Sequence, residues 1–302
     1  MKSNKTILYL LIFAALVVAA YFLTTDRGEK TSSYELKEKK LFTLDSAKTD
    51  KIEIKNKDGN LVLSKSTGEW KATSPFDYNV TPDLVDKIVS SLKNFKLESI
   101  ISTNPAKKET YGFKDSDQAE ISVYESGVLK GKFLLGGSAA GNSSYIKKPD
   151  SDNIYIADIL DRNDFIKPNI NDWRDKNIVS IPKQAINSVE FVSPEETFTV
   201  IRDGNGKYNI GADSVGANFD GILNLLGNFA TTGYLDSALA DDAKFSNMVN
   251  IDWGNKTQMK FIKTETTPVK YYLKVEGDKQ VYELDEAYAK NLLKSKKDIL
   301  GR

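Results

Sequence analysis

The chain has no cysteine and no histidine. Without cysteine there is no disulfide framework, no thiolate nucleophile and no lipid-modified cysteine. Without histidine as well, the Ser-His-Asp triad, the Cys-His dyad and ordinary zinc sites are closed to it. A charge surplus is missing too. Lys plus Arg number 42 and Asp plus Glu number 42, so the formal net charge is zero. That argues against a nucleic-acid partner, because neutralising phosphates takes a basic excess. It also argues against broad adhesion to anionic lipid. An exported fold of this composition must rest on its apolar core alone.

What is present begins with Ile7 to Leu23, an uncharged run reading ILYLLIFAALVVAAYFL, with Lys2 and Lys5 before it and Asp26 after. A helix rising about 1.5 Å per residue would carry it most of the way across a hydrocarbon core about 30 Å thick. The lysines favour a cytoplasmic N-terminus, with the bulk of the chain translocated. Residues 1–25 are therefore expected to be a transmembrane signal-anchor. A cleaved signal peptide is the alternative, with Val18 and Ala20 at the small-residue positions, although Tyr21, Phe22 and Leu23 carry the apolar run past that cut. Residues 26–40, DRGEKTSSYELKEKK, are polar and of mixed charge, and read as a tether.

Two α+β modules are expected beyond the tether, 41–177 and 178–302. In the first, Ile52 and Ile54 alternate with Lys51, Glu53 and Lys55. A turn at 56–60, Leu61 to Leu63, a turn at Gly68 and a strand anchored by Trp70 follow, as an antiparallel meander. Thr81 is placed as a helix cap with Pro82 at the first helical position. Leu84, Val85, Ile88, Val89, Leu92 and Phe95 recur at helical spacing. Short strands at 119–124, 130–135, 144–147 and 153–157 come next, then a short helix from Ile159 to Ile166.

The same grammar restarts at Ile186, Val189 and Phe191. Tyr208 stands in for Trp70, and Asn218 is expected to cap a second helix carrying Phe219, Ile222, Leu223 and Leu226. Strands at 258–262, 270–275 and 280–283 precede a closing helix from about Asp285 to Lys294. The pairs Ile54 and Phe191, Leu61 and Phe198, and Leu63 and Val200 share one offset, which marks an internal repeat. Each module should be an antiparallel sheet with helices on one face.

An ordered set of short motifs carries a resemblance. It runs through the Trp70 strand with Pro75, Tyr111-Gly112-Phe113, Leu134-Leu135-Gly136, Tyr145-Ile146, Ile154-Tyr155-Ile156 and Trp173-Arg174-Asp175-Lys176. Together these resemble the bacterial family called domain of unknown function 4340, well over Leu41 to Ile178 and more loosely beyond. The resemblance implies a membrane-anchored envelope protein at the bacterial inner membrane, with some members associated with ABC-type transport or gliding systems. It supplies no catalytic residues.

Candidate chemistry is thin. Gly136 to Ser143 mimics a phosphate-binding loop in its glycine spacing, but Asn142 stands where the lysine belongs, so a hairpin loop is the simpler reading. Asp115 with Asp117, and Asp150 with Asp152, have calcium-like spacing but no complete loop around them, and read as turns. No acidic pair is singled out for glycoside hydrolysis. Trp70, Trp173 and Trp253 could line a binding surface, but aromatic residues on short strands mostly pack. Trp173 and Arg174 are the foremost candidates, either sealing the junction of the modules or meeting a partner. The expectation is thus a non-enzymatic accessory or scaffold protein with no cofactor, a protein partner in the envelope and no nucleic acid. A periplasmic glycan- or peptide-binding module is the alternative.

Overall fold

The computed structural model describes residues 13–17, 36, 39–236, 239 and 243–302. Of the expected span, residues 13–17 are helical and exposed, and the rest lies outside the described residues, as does most of the tether. Among the described residues no helix is long and apolar enough to cross a membrane.

The protein is α+β and mostly antiparallel sheet. Strands β1 (Thr49–Asn56), β2 (Gly59–Ser66), β3 (Glu69–Ser74) and β4 (Tyr78–Asn79) form the meander read from the sequence. Helix α1 (Pro82–Asn94) follows, then β5 (Lys96–Ser102), β6 (Ala119–Glu125), β7 (Val128–Ser138), β8 (Ser144–Lys147) and β9 (Ile154–Asp158). These nine strands make one sheet in the order β4-β3-β2-β1-β6-β7-β8-β9-β5. A four-residue helix, α2 (Arg162–Phe165), is shorter than the stretch expected from 159 to 166. Ile159 has φ 63°, outside the right-handed helical region, so no helix can start there.

The second sheet comprises β11 (Ser188–Val192), β12 (Thr197–Arg202), β13 (Tyr208–Ile210), β14 (Asp213–Ser214), β16 (Gly233–Leu235), β17 (Asn247–Asp252), β18 (Lys256–Lys263), β19 (Lys270–Val275) and β20 (Val281–Asp285). Its order is β14-β13-β12-β11-β17-β18-β19-β20-β16, strand for strand the order of the first. Helix α3 (Ala217–Leu226) stands where α1 stands, after the fourth strand. A separate two-stranded ribbon joins β10 (Asn177–Val179) to β15 (Phe229–Ala230). The chain closes with α4 (Glu286–Leu292) and α5 (Lys296–Leu300).

The described residues divide into two compact units. One is built from the chain up to Asn60 with Val89–Phe165, the other from Leu61–Ile88 with Ile166–Arg302. In the first unit, Ile52, Ile54, Ile121, Val123, Phe133 and Leu135 are buried. Phe42 packs edge-on against Phe95 at 5.5 Å, and the Leu97 amide donates to the Lys39 carbonyl, so this stretch lies against β5. In the second unit, Val189, Phe191, Val200, Phe219, Leu223, Phe261, Leu273 and Ile299 belong to one buried cluster. Helix α4 lies on β19 and β20, and α3 meets both α4 and α5.

One expectation about caps is corrected and one is met in position. Asn218 lies inside α3, whose cap is Gly216, and its side-chain amide donates to the Asp298 carbonyl at 2.8 Å. Thr81 does stand immediately before Pro82, where its carbonyl accepts from the Leu84 and Val85 amides, and its hydroxyl donates to the Arg174 carbonyl at 3.1 Å. The Gly136 stretch is corrected as well. Gly136, Gly137 and Ser138 continue strand β7, so only the residues after them turn.

Candidate functional site: a caged arginine beside a cleft

The segment around Trp173 is held by its backbone. A 3-10 turn at Ile170–Asp172 is capped by Asn169, and the Trp173 amide donates to the Ile170 carbonyl at 3.1 Å. The Thr81 amide then donates to the Trp173 carbonyl at 3.0 Å, and the Asp175 amide to the Asn79 carbonyl at 2.9 Å. Further on, the Tyr234 hydroxyl donates to the Asp175 carbonyl at 3.0 Å, and the Thr231 amide to the Lys176 carbonyl at 2.8 Å. All of these residues belong to the second compact unit.

This threading buries two long side chains, Trp173 and Arg174. The Arg174 side chain is only 1% exposed. Its guanidinium carbon lies 4.8 Å from the ring centre of Phe76, 4.9 Å from Tyr78 and 4.6 Å from Tyr234. Each such contact is worth about 0.5–2 kcal/mol, more as water is excluded. Three of them explain how a full positive charge is tolerated here.

The donors are less well served than the charge. Asp236 Oδ1 sits 2.6 Å from Nη1, yet none of Nε, Nη1 and Nη2 has an aligned hydrogen-bond acceptor. The short distance and the missing hydrogen bond agree if Asp236 lies off the N–H axis. The contact is an ion pair without an aligned hydrogen bond. Asp236 itself is 52% exposed. The Tyr78 hydroxyl is also buried without a partner. Burial pushes the Tyr78 and Tyr234 phenols up to about 12, against the pull of Arg174. Both stay neutral at ordinary pH, so the cage offers a fixed cation and no proton in play near neutrality.

A cleft of about 520 Å³ opens beside the cage. Phe76, Leu235, Asp236, Phe245, Lys274 and Lys279 are among its walls. Asp77, also on the wall, lies 3.9 Å from Lys279 Nζ.

The other sequence candidates stand apart. Trp70 is half-buried on β3, with Lys65 Nζ 5.9 Å from its ring centre. Trp253 packs on the second cluster, and its indole N–H donates to Thr257 Oγ1 at 3.1 Å. Sequence reasoning missed Phe76, Tyr78, Tyr234 and Asp236. The aromatic pair at 76 and 78 was a visible signal, but nothing local pairs it with Arg174. Among the described residues no group of three His, Cys, Asp or Glu could hold a metal ion.

Fold and site together define an α+β protein of two like-ordered nine-stranded sheets with an aromatic-caged arginine. A family model described as Domain of unknown function (DUF4340) matches residues 70–250, more than half the chain, and the protein belongs to that family. No curated protein and no solved structure matches it.

Proposed function

We propose that the protein is a non-enzymatic accessory or scaffold subunit, anchored by one N-terminal helix and facing outward from a bacterial inner membrane. It serves a protein complex of the ABC-type transport or motility class. The observation that carries this reading is the caged arginine. It is a buried fixed charge set beside an open, partly aromatic cleft, an arrangement suited to holding a partner. The anchor is supported by Phe13, Leu16 and Val17, large apolar residues of the short helical stretch that are exposed to solvent. The matching strand orders support descent of the two modules, 41–177 and 178–302, from one duplicated unit.

A peptide- or glycan-binding module is the second reading, favoured by the aromatic wall of Phe76 and Phe245. Two measurements test the proposal. Protease added outside right-side-out inner-membrane vesicles should digest the folded part, and full protection would overturn the topology. Affinity purification of the full chain from native membranes should recover a stoichiometric protein partner. Recovery of the chain alone would remove the scaffold role.

A further inference from the structure

We propose that the cleft beside Arg174 receives an acidic, partly apolar segment of a protein partner, whose carboxylate takes the place of Asp236 on the guanidinium. This rests on the accessory-protein reading and names the chemistry of its partner.

Three buried donors on Arg174 lack aligned acceptors among the described residues. Aromatic faces stabilise the charge but leave the in-plane N–H groups unused. A planar guanidinium is best satisfied by a carboxylate meeting it on two parallel N–H bonds. Asp236, the residue after the strand that ends at Leu235, supplies a carboxylate at the right distance but no aligned hydrogen bond. It is also half exposed and forms part of the cleft wall. An incoming carboxylate that displaced it could align where Asp236 does not, and Asp236 would turn into water at little cost.

The rest of the cleft fits the same ligand. Phe76 and Phe245 are large apolar side chains left exposed on its wall, beside Leu235. Lys274 Nζ, also on the wall, finds only the Lys279 carbonyl, 3.1 Å away, among the described residues. Once Asp236 is displaced, the cleft holds unmatched positive charge next to aromatic surface. Acidic residues flanked by aromatic or aliphatic ones complement both features.

The test uses the full chain and a fluorescent hexapeptide of alternating Phe and Glu, with its Phe and Gln counterpart as control, read by anisotropy. The Glu peptide should bind at least tenfold more tightly than the Gln peptide. Asp236→Asn should tighten the Glu peptide at least threefold by removing the competing carboxylate, and Lys274→Ala should weaken it. Equal binding of the two peptides, no binding of either, or an Asp236→Asn protein that binds no better would overturn the proposal. If Asp236→Asn melts lower, Asp236→Ser measured below both transitions decides the same question. A native partner captured equally well by the parent, Asp236→Asn and Lys274→Ala would leave the scaffold role standing and remove this site from it.

Discussion

Arg174 concentrates much of the chemistry that the chain possesses. Its stem and plane fill a space bounded by Phe76, Tyr78 and Tyr234, while its charge leans on an exposed carboxylate. Shape and charge can be separated by substitution. Arg174→Ala should cost about 2–4 kcal/mol, because the rings cannot close fully on the vacated volume. Arg174→Met should cost less than half as much, since a well-packed apolar chain can replace a buried ion at little net cost. Urea denaturation of both variants gives the comparison. The neighbouring phenols make the cage sensitive to alkali. Their folded pKa values are raised, to about 12, above an ordinary phenol near 10. The stability they confer is therefore complete below about pH 10 and lost as pH climbs toward 12. Tyr78→Phe should flatten that decline and gain up to about 1 kcal/mol at pH 7, because the hydroxyl it removes is buried and unpaired. A steeper alkaline decline in Tyr78→Phe would contradict the assignment. Trp173 and Arg174 stood out in the sequence as an aromatic–cation pair at a change of grammar. Their ring partners did not, because a cage assembled from distant strands leaves no local spacing to read.

Some of the short motifs that carried the resemblance turn out to be packing devices. Gly112 ends the 3-10 turn Pro105–Tyr111 at φ 80°, and a methyl group there would lie 2.4 Å from the Gly137 amide nitrogen. A methyl on Gly136 would lie 2.5 Å from the Tyr111 carbonyl. Tyr111-Gly112-Phe113 is thus laid directly on the β7 backbone, and Arg162 clamps the contact by donating to the Gly136 and Asp117 carbonyls. Gly112→Ala and Gly136→Ala should each cost at least about 2 kcal/mol, by strain and overpacking. Gly204→Ala is the control, since a methyl group there meets nothing within 4 Å. Its melting temperature should match the parent's, and equal losses at all three positions would refute the close-approach account. Glycine spacing at 136–141 suggested a phosphate loop and then a turn. The cause is a strand that must stay bare so that another stretch of chain can lie on it.

At the scale of the whole molecule, the repeat was the most legible feature. Ile54 and Phe191 are buried on the fourth strand of their sheets, and Leu63 and Val200 on the third, so the constant offset tracked true topological equivalents. Apolar alternation revealed the strands because one face of each sheet is buried. It could not reveal strand order, which depends on pairings between segments far apart. Nor did it reveal the β10–β15 ribbon, whose two short strands carry no period of their own. The placement of β5 and β16 has a consequence in time. β5 emerges directly after α1, and β16 directly after the ribbon strand β15, yet each pairs only with the last strand of its sheet, Lys96 with Asp158 and Gly233 with Glu283. Hairpins such as β6–β7 can close as soon as they are made, while these two outer strands must wait with unpaired edges until the sheet's final strand arrives. Non-local closure of that kind is slow. The late-closing seams, not the hairpins, therefore set the interval during which each sheet's outer edge is open to pairing with the wrong chain.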